Sequence, residues 1–375
     1  MFFHYPTLLQ VLRATFSRQH FHPIHAVYVI LFVSAFLCLR TLVWLVRWLD
    51  PVLFSRYRQQ QIEAPVYIIS NPRSGTTFLH RLLALDERFT TTKLYHTIFP
   101  AVAFYKFFDW LGKLDRRLHH PLTQFINWMD RQGFKGWEGI HKTQLNSEEE
   151  EEQLFVYTLL SPVIFLLFPF PEALPAASWV DELPAKIRQP LMNYYQDCLQ
   201  RHLYATGSDK TLLIKNTTMG GRLWFTRELF PDLRIVHVIR HPYESLPSFL
   251  SMNAVAWHQF VPQARHNPKT SQAVAQLYCQ YYRQYRALKE SLPRAQVIEV
   301  HYEALVNDPK GTIEHIYRAL GLSMTAAYAA KLQAETERSR TYKSRHQYSL
   351  QEFGLSAEMI YEQMPDLFEA YGFRV

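Results

Sequence analysis

Short apolar segments alternate with longer stretches of helical periodicity along most of the chain. Four apolar runs rich in β-branched residues are typical of buried strands, and they lie at residues 66–70, 212–214, 235–239 and 297–300. The stretch after the first run, residues 76–85, places Phe78, Leu79, Leu82 and Leu83 on one face of a helix. This alternation of strands and helices predicts an α/β domain with a mostly parallel central sheet.

The longest apolar run occupies residues 26–46 and contains a single charge, Arg40. Roughly 20 apolar residues are enough to span a bilayer, and Trp44 and Trp48 suit a membrane interface. Arg40 lies toward the end of the run, where a long side chain can snorkel to the surface. Two interpretations stay open, a spanning helix and a helix that lies in the interface, and a buried core helix is the alternative to both.

Aromatic residues are concentrated between residues 95 and 137, and an acidic run follows at residues 148–152. The aromatic side chains either pack in the core or line a pocket for an apolar ligand, since both are built from the same residue types. Ser147 and Glu150 have the spacing of a capping box, which predicts a helix that starts here. The acidic side chains also suit the positive end of a helix dipole.

Composition and charge narrow the range of partners. The chain is 48% hydrophobic and has a formal net charge of +7, which favours an anionic partner such as a phosphorylated ligand or an anionic membrane surface. Nucleic acid is not expected, because the chain has no dense Lys/Arg tract and no zinc-finger, basic-zipper or RNA-recognition signature. No metal site is expected either, because His20, His22 and His25 are loosely spaced and lack a carboxylate partner.

The first candidate for chemistry is the loop at residues 71–77, Asn-Pro-Arg-Ser-Gly-Thr-Thr, between a predicted strand and a helix N-terminus. Backbone N–H groups and the helix dipole favour an anion at such a position. Gly75 lets the backbone approach a phosphate, Ser74, Thr76 and Thr77 add hydroxyl donors, and Arg73 adds a guanidinium. An ordinary strand-to-helix turn is the alternative. The GxxxxGK[ST] pattern of nucleoside triphosphatases is absent.

The second candidate is Arg240, which follows the strand predicted at residues 235–239. Open α/β sheets bind ligands at the carboxyl ends of their strands, so Arg240 is placed at the expected edge. Ser248 lies eight residues further on, in the next predicted helix, and the two side chains can clamp one phosphate. A surface salt bridge is the alternative role for Arg240 alone.

Together these segments resemble the sulfotransferase superfamily. Residues 72–77 resemble its 5′-phosphosulfate loop, Arg240 and Ser248 match its 3′-phosphate motif, and residues 302–309 resemble its tyrosine–acid–leucine segment after a late strand. The similarity is greatest to a bacterial-type subgroup that includes lipid and quinol sulfotransferases. It implies a P-loop-like, three-layer α/β fold, the donor 3′-phosphoadenosine 5′-phosphosulfate and no metal. We therefore expect a membrane-associating helical segment at residues 1–60 and a sulfotransferase domain at residues 61–375.

The resemblance also implies roles for individual residues. Arg73 is expected to stabilise charge on the leaving phosphate, since a guanidinium cannot readily donate its proton. The 5′-phosphosulfate is expected to be bound by Ser74, Gly75, Thr76 and Thr77, and the rest of the donor by Arg240, Ser248 and Tyr302. Lys215 is a further cation near the donor. Lys343 and Arg345 either close over the 3′-phosphate or are surface charges.

The acceptor hydroxyl needs a general base within hydrogen-bond reach. The candidates are His141 and the glutamates Glu149, Glu150 and Glu151, with Glu150 preferred. A solvated capping cluster is the alternative for each glutamate.

The expected reaction is sulfuryl transfer to a hydroxyl of a lipophilic acceptor such as a lipid, a quinol or a sterol-like molecule. A P-loop kinase-type phosphotransferase and a non-catalytic membrane scaffold are the alternatives. The expected location is a membrane, on the cytoplasmic face of the inner membrane in a bacterium, where the donor is made. The oligomeric state stays open.

Overall fold

The computed structural model describes residues 1–125, 128, 148–261, 264, 267–339 and 348–374. Five parallel strands form one sheet in the order β2-β3-β1-β4-β5. They are β1 Val66–Ile69, β2 Phe89–Thr90, β3 Thr211–Asn216, β4 Arg234–Ile239 and β5 Val297–His301. The four predicted strands and their parallel arrangement are confirmed. The fifth, β2, is an additional two-residue strand at the edge.

Helices supply the rest of the described structure. The α-helices are α1 Tyr5–Thr15, α2 Pro23–Arg47, α3 Asp50–Leu53, α4 Thr76–Ala84, α5 Leu94–Ile98, α6 Val102–Arg117, α7 Glu152–Val156, α8 Pro175–Ser178, α9 Ala185–Thr206, α10 Leu223–Leu229, α11 Pro242–Phe260, α12 Pro268–Ser291, α13 Tyr302–Asn307, α14 Pro309–Ala319, α15 Ala326–Ser339, α16 Ala357–Gln363 and α17 Pro365–Tyr371. Short 3₁₀ turns lie at Ser55–Gln59, Pro162–Leu166, Pro171–Ala173, Val180–Glu182, Met219–Arg222, Arg294–Gln296 and Gln351–Phe353.

The sheet separates two apolar layers. Along β1, Tyr67 and Ile69 face one cluster of buried residues, while Val66 and Ile68 face the other, as the twofold side-chain period of a strand requires. All four side chains are buried, because helices cover both faces of a parallel sheet. This confirms the three-layer α/β fold.

Helix α2 packs against the first of these layers. Val29, Phe36 and Val43, spaced by seven residues, are buried on one face of the helix, while most of the opposite face is exposed. Arg40 does not reach toward solvent as expected. Its guanidinium donates to the carbonyl oxygens of Phe2 at 3.0 Å and of Met1 and Tyr157 at 3.3 Å. Carbonyl groups of the protein therefore solvate this charge.

Helix α7 begins at Glu152, so the expectation of a helix capped by Ser147 is wrong for the described part of this segment. Residues 148 and 149 run beside residues 92 and 93 instead, and the N–H of Glu149 donates to the Thr92 carbonyl oxygen at 3.0 Å. This backbone pairing keeps the first acidic residues extended. Ser147 itself lies outside the described residues.

Candidate functional site

The loop after β1 is held in a tight turn that ends at the first residue of α4. Arg73 and Gly75 both have left-handed backbone angles, with φ of +68° and +83°. The Ser74 hydroxyl donates to the Asn71 carbonyl oxygen at 2.8 Å and closes the turn. A Cβ at Gly75 would lie 2.8 Å from the Tyr302 ring, so only glycine fits here. The turn brings the Tyr302 segment directly against the loop.

The loops after β1 and β4 meet because these strands are neighbours in the sheet. The chain leaves β1 toward β2 on one side and leaves β4 toward β5 on the other, which opens a crevice between their carboxyl ends. Arg73 Nε donates to Ser248 Oγ at 3.1 Å across this crevice. Arg240 Nη1 donates to the Arg73 carbonyl oxygen at 2.6 Å, and its guanidinium lies 4.1 Å from the Tyr302 ring centroid. Arg73 and Arg240 come from segments about 170 residues apart and lie together at this crevice. We call these two cations the basic corner.

Arg240 also forms the surface contact that was its alternative role. Its Nη2 lies 3.0 Å from a carboxylate oxygen of Glu244, one helical turn further along the chain. The Glu244 side chain is more than half exposed, so this ion pair is weak and an incoming anion can replace it. The side chain of Arg240 thus contacts both the Arg73 loop and Glu244.

Lys215, at the carboxyl end of β3, links the loop to the acidic segment. Its Nζ donates to Thr77 Oγ1 at 3.1 Å and lies 3.5 Å from Glu150 Oε1. The Thr217 hydroxyl donates to the same Glu150 oxygen at 3.1 Å. Glu150 is therefore separated from the first turn of α4 by one buried lysine, and its side chain keeps partial exposure. Thr217 was not among the predicted site residues.

The neighbouring glutamates have different surroundings. Asn216 Nδ2 donates to Glu151 Oε1 at 2.9 Å and to Glu152 Oε2 at 2.7 Å, and Arg222 forms a buried ion pair with Glu152. Burial raises the pKa of Glu151 to about 8, and the negative charge of Glu152 acts in the same direction. Burial opposes the ionisation of Glu152 too, but Arg222 more than offsets it and holds that pKa below its ordinary value.

This buried network fixes the end of β3 that carries Lys215. Asn216, Glu152 and Arg222 were not predicted as parts of the site. Asn216 directly follows the predicted Lys215 in the sequence, whereas no local pattern distinguishes Arg222.

A cleft lies beside the same edge of the sheet. The space within it, counted out to open solvent, is about 280 Å³. The loop residues Ser70 and Asn71 and the Glu150 partner Thr217 contribute to its wall, and the remaining lining is mainly apolar or aromatic: Ile69, Asn216, Met219, Gly220, Leu223, His237, Tyr281, Tyr282 and Tyr285. Burial lowers the pKa of His237 to about 3, so its ring, stacked 3.6 Å from Tyr285, is neutral. The side chains that line the cleft are therefore uncharged.

The structure thus places most of the predicted site residues at one edge of the sheet. Arg73, Ser74, Gly75, Thr76, Thr77, Arg240, Ser248 and Tyr302 surround the crevice, and Lys215 and Glu150 adjoin it. His141, Lys343 and Arg345 lie outside the described residues. Within the described ranges, no group of three or more His, Cys, Asp or Glu side chains has an arrangement that could hold a metal ion.

The mycobacterial sulfotransferases are similar to this chain in sequence and in fold. A relative from Mycobacterium bovis, omega-hydroxy-beta-dihydromenaquinone-9 sulfotransferase Stf3, is 24% identical over 336 residues, which cover 86% of this chain and 79% of the relative. The crystal structure of sulfotransferase STF1 from Mycobacterium tuberculosis H37Rv has a TM-score of 0.73 at 20% identity and covers 96% of this chain and 92% of its own. For STF9 from Mycobacterium avium the TM-score is 0.78 at 14% identity, with coverages of 98% and 91%.

The match to a family model is broader than any single motif. The model of the Sulfotransferase family matches residues 65–326, which include the whole sheet and every strand end described above. This match sets aside the kinase and the non-catalytic scaffold. The chain therefore belongs to the sulfotransferase family and is a sulfotransferase.

Proposed function

We propose that this sulfotransferase moves the sulfuryl group of 3′-phosphoadenosine 5′-phosphosulfate to a hydroxyl of a lipophilic acceptor. One observation carries the proposal: Arg73 Nε lies 3.1 Å from Ser248 Oγ, which joins the loop after β1 to the helix after β4. A nucleotide with anionic groups at both its 5′ and 3′ positions needs two anion-binding segments that converge in this way.

The basic corner and the neighbouring Lys215 fit such a donor. Arg73, Lys215 and Arg240 supply three cations within one crevice, and the turn at Gly75 exposes the N-terminus of α4. In the proposed complex, Ser74, Gly75, Thr76 and Thr77 bind the 5′-phosphosulfate, and Arg240 and Ser248 hold the 3′-phosphate. Arg240 exchanges its exposed partner Glu244 for the phosphate, which costs little.

Glu150 is the proposed general base. It lies beside Lys215, which contacts Thr77, whereas Glu151 is buried in the Asn216 network away from any entering hydroxyl. As the acceptor oxygen bonds to sulfur, Glu150 accepts the hydroxyl proton. The bond from sulfur to the 5′-phosphate oxygen breaks, and Arg73 and Lys215 stabilise the charge left on that phosphate. The products are a sulfate ester and 3′-phosphoadenosine 5′-phosphate.

The lipophilic acceptor is supported by two observations. The name of the Stf3 relative gives a hydroxylated menaquinone derivative as its substrate. The cleft beside Thr217 has a largely apolar and aromatic wall. A quinol or prenyl-type hydroxyl is therefore the proposed acceptor, and we propose that the protein meets it at a membrane. The cytoplasmic face remains the proposed side.

The test is incubation of the full chain with ³⁵S-labelled donor and a detergent-dispersed bacterial lipid extract, followed by mass analysis of labelled products. Wild type should label a hydroxylated lipid, and Glu150→Gln should bind the donor without forming product. Labelled ATP in place of the donor should give nothing. Failure to bind 3′-phosphoadenosine 5′-phosphate in calorimetry would overturn the donor assignment. Labelling of only water-soluble alcohols would overturn the acceptor.

A further inference from the structure

The exposed large apolar side chains are concentrated at one end of the chain. Among the described residues, every large hydrophobic side chain that is exposed lies within residues 5–128, apart from Val306 and Met359. Helices α2 and α3 contribute the most: Ile24, Val27, Tyr28, Ile30, Leu31, Phe32, Leu37, Leu42, Trp44, Leu45, Val52 and Leu53. An exposed patch of this extent marks a surface that meets another apolar phase.

Neighbouring helices extend the same surface. Helix α2 contacts α1, α3 and α6. Helix α1 exposes Tyr5 and Leu9, and α6 exposes Phe107, Trp110 and Leu114. We call the exposed apolar side chains of α1, α2, α3 and α6 the N-terminal apolar face. Helix α2 and three helices that touch it therefore contribute to this face.

The opposite side of α2 is fixed to the domain along its whole length. Near its start, His25 Nε2 lies 2.8 Å from the Leu167 carbonyl oxygen, and near its end the buried Arg47 pairs with Asp197. Arg40 is bound between these points. At about 1.5 Å per residue the contact extends for more than 30 Å, the full thickness of a bilayer core.

This attachment decides between the two membrane arrangements of α2. A spanning helix must be surrounded by lipid or by other apolar segments for about 30 Å. Helix α2 is packed against helix α9 through the pair Arg47 and Asp197. If α2 spanned the bilayer, this charged pair and α9 would enter the hydrocarbon with it. Detachment instead would separate the buried Arg47 from its carboxylate partner, while Asp197 would keep only its ion pair with Arg201.

We propose that the N-terminal apolar face docks on the surface of a phospholipid bilayer, with α2 parallel to the membrane plane and the whole domain on one side. The docking does not depend on the reaction that the protein catalyses.

The charge distribution favours anionic lipid as the occupant. The sequence contains no Asp or Glu before Asp50, and Asp50 is buried against Arg201. Arg13, Arg18 and Lys106 are exposed on or beside helices of the apolar face. Lys and Arg beside an apolar helix face, with Trp44 and Trp48 near its end, are typical of helices that lie in an anionic membrane interface.

The arrangement also connects the membrane to the proposed base. Tyr157, whose carbonyl oxygen binds Arg40 of α2, directly follows α7, and Glu150 lies two positions before the first residue of that helix. If the proposed function holds, a lipid acceptor reaches Glu150 without a long passage through water.

Natural cysteines provide a probe for the test. Cys38 on α2 is exposed, whereas Cys198 and Cys279 are buried, so an environment-sensitive fluorophore reacts selectively with Cys38. Vesicles of phosphatidylcholine and phosphatidylglycerol should shift its emission to the blue, and pure phosphatidylcholine should do so more weakly. No shift with either vesicle would overturn the docking. The assay contains no donor and no acceptor, so its outcome is independent of the proposed function.

Depth measurements distinguish the orientations. In a Cys38→Ser background, single cysteines at the exposed positions Ile24, Leu31 and Leu45 are labelled and quenched by nitroxide lipids of known depth. Equal, shallow depths at all three positions are expected. A deep probe at Leu31 with shallow probes at the ends would overturn the parallel arrangement in favour of a spanning helix.

Charge substitution supplies a matched pair. Leu31→Glu should lower the vesicle partition coefficient at least about tenfold, because an exposed apolar side chain no longer enters the interface. Met359→Glu, at an exposed apolar position outside the N-terminal apolar face, should leave it unchanged. Equal effects of the two substitutions would show that association with vesicles is non-specific and would overturn the proposal.

Discussion

Replacement of Arg240 by alanine isolates the contribution of one guanidinium to donor recognition. In the free protein this group donates to the Arg73 carbonyl oxygen at 2.6 Å and lies over the Tyr302 ring. In the proposed complex it faces the 3′-phosphate. A hydrogen bond to a charged group contributes about 1.5 to 3 kcal/mol, so the Kd of 3′-phosphoadenosine 5′-phosphate should rise about 10- to 150-fold.

The assay compares two nucleotides by isothermal calorimetry. Adenosine 5′-phosphate lacks only the 3′-phosphate. The Kd of adenosine 5′-phosphate divided by the Kd of 3′-phosphoadenosine 5′-phosphate therefore measures the contribution of that group. Arg240→Ala should reduce this ratio while the Kd of adenosine 5′-phosphate stays unchanged. An equal loss for both nucleotides would show that Arg240 acts only by holding the Arg73 loop, and the clamp assignment would then be refuted.

Glu244→Gln is the matched control for this experiment. The Glu244 carboxylate lies 3.0 Å from Arg240 and is more than half exposed, so the ion pair contributes at most about 1 kcal/mol. Its removal should free Arg240 and tighten binding of 3′-phosphoadenosine 5′-phosphate by up to about fivefold. Weaker binding would contradict the view that phosphate and Glu244 compete for Arg240.

Three further outcomes are expected. Glu150→Gln should lower kcat about 10²- to 10⁴-fold, the usual contribution of a general base, with the donor Kd unchanged in calorimetry. Gly75→Ala should lower the free energy of unfolding by about 1 to 3 kcal/mol in urea, because it imposes a φ of +83° on a residue whose Cβ meets the Tyr302 ring. Glu151→Gln should flatten the pH dependence of stability. Since burial raises the pKa of Glu151 from 4.5 to about 8, its stabilising contribution is complete below about pH 4.5 and is lost as the pH rises through 8.

Each of these outcomes has a control. Glu148→Gln, in the same acidic run, should keep wild-type turnover, and an equal loss there would remove the special role of Glu150. Gly372 also has a positive φ but has nothing within 4 Å of its Cβ position, so Gly372→Ala should cost less than Gly75→Ala. The free energies of unfolding of wild type and Glu151→Gln are plotted against pH. Two plots that stay parallel from about pH 5 to pH 8 would contradict the raised pKa of Glu151.

Local patterns predicted four strands of the sheet but not the edge strand β2. A central strand such as β4 is buried on both faces and therefore appears as a continuous apolar run in the sequence. Strand β2 has only two residues, Phe89 and Thr90, and two residues carry no periodicity. It exists because it pairs with β3, about 120 residues later in the chain. Pairing at that distance has no local signal.

Most residues of the site were predictable from the sequence, but the contacts between them were not. The loops of Arg73 and Arg240 each carry a motif, yet the bond between Arg73 and Ser248 depends on β1 and β4 being neighbours. Sequence spacing alone could not show which of the adjacent glutamates lies beside Lys215. Residues 148–149 pair with residues 92–93, a contact with no local signal, and the ranking of Glu150 as base stays a prediction.

Several partners of α2 are synthesised long after the helix itself. Its contacts through Arg40, His25 and Arg47 join residues 117, 142 and 150 positions apart. At about 5 to 20 residues per second, the helix leaves the ribosome roughly 6 to 30 s before those partners exist. During translation its apolar residues therefore need shelter from aggregation. If the N-terminal apolar face docks on lipid as proposed, a nearby bilayer provides it, and the later part of the nascent chain then folds onto a helix already held at the lipid surface.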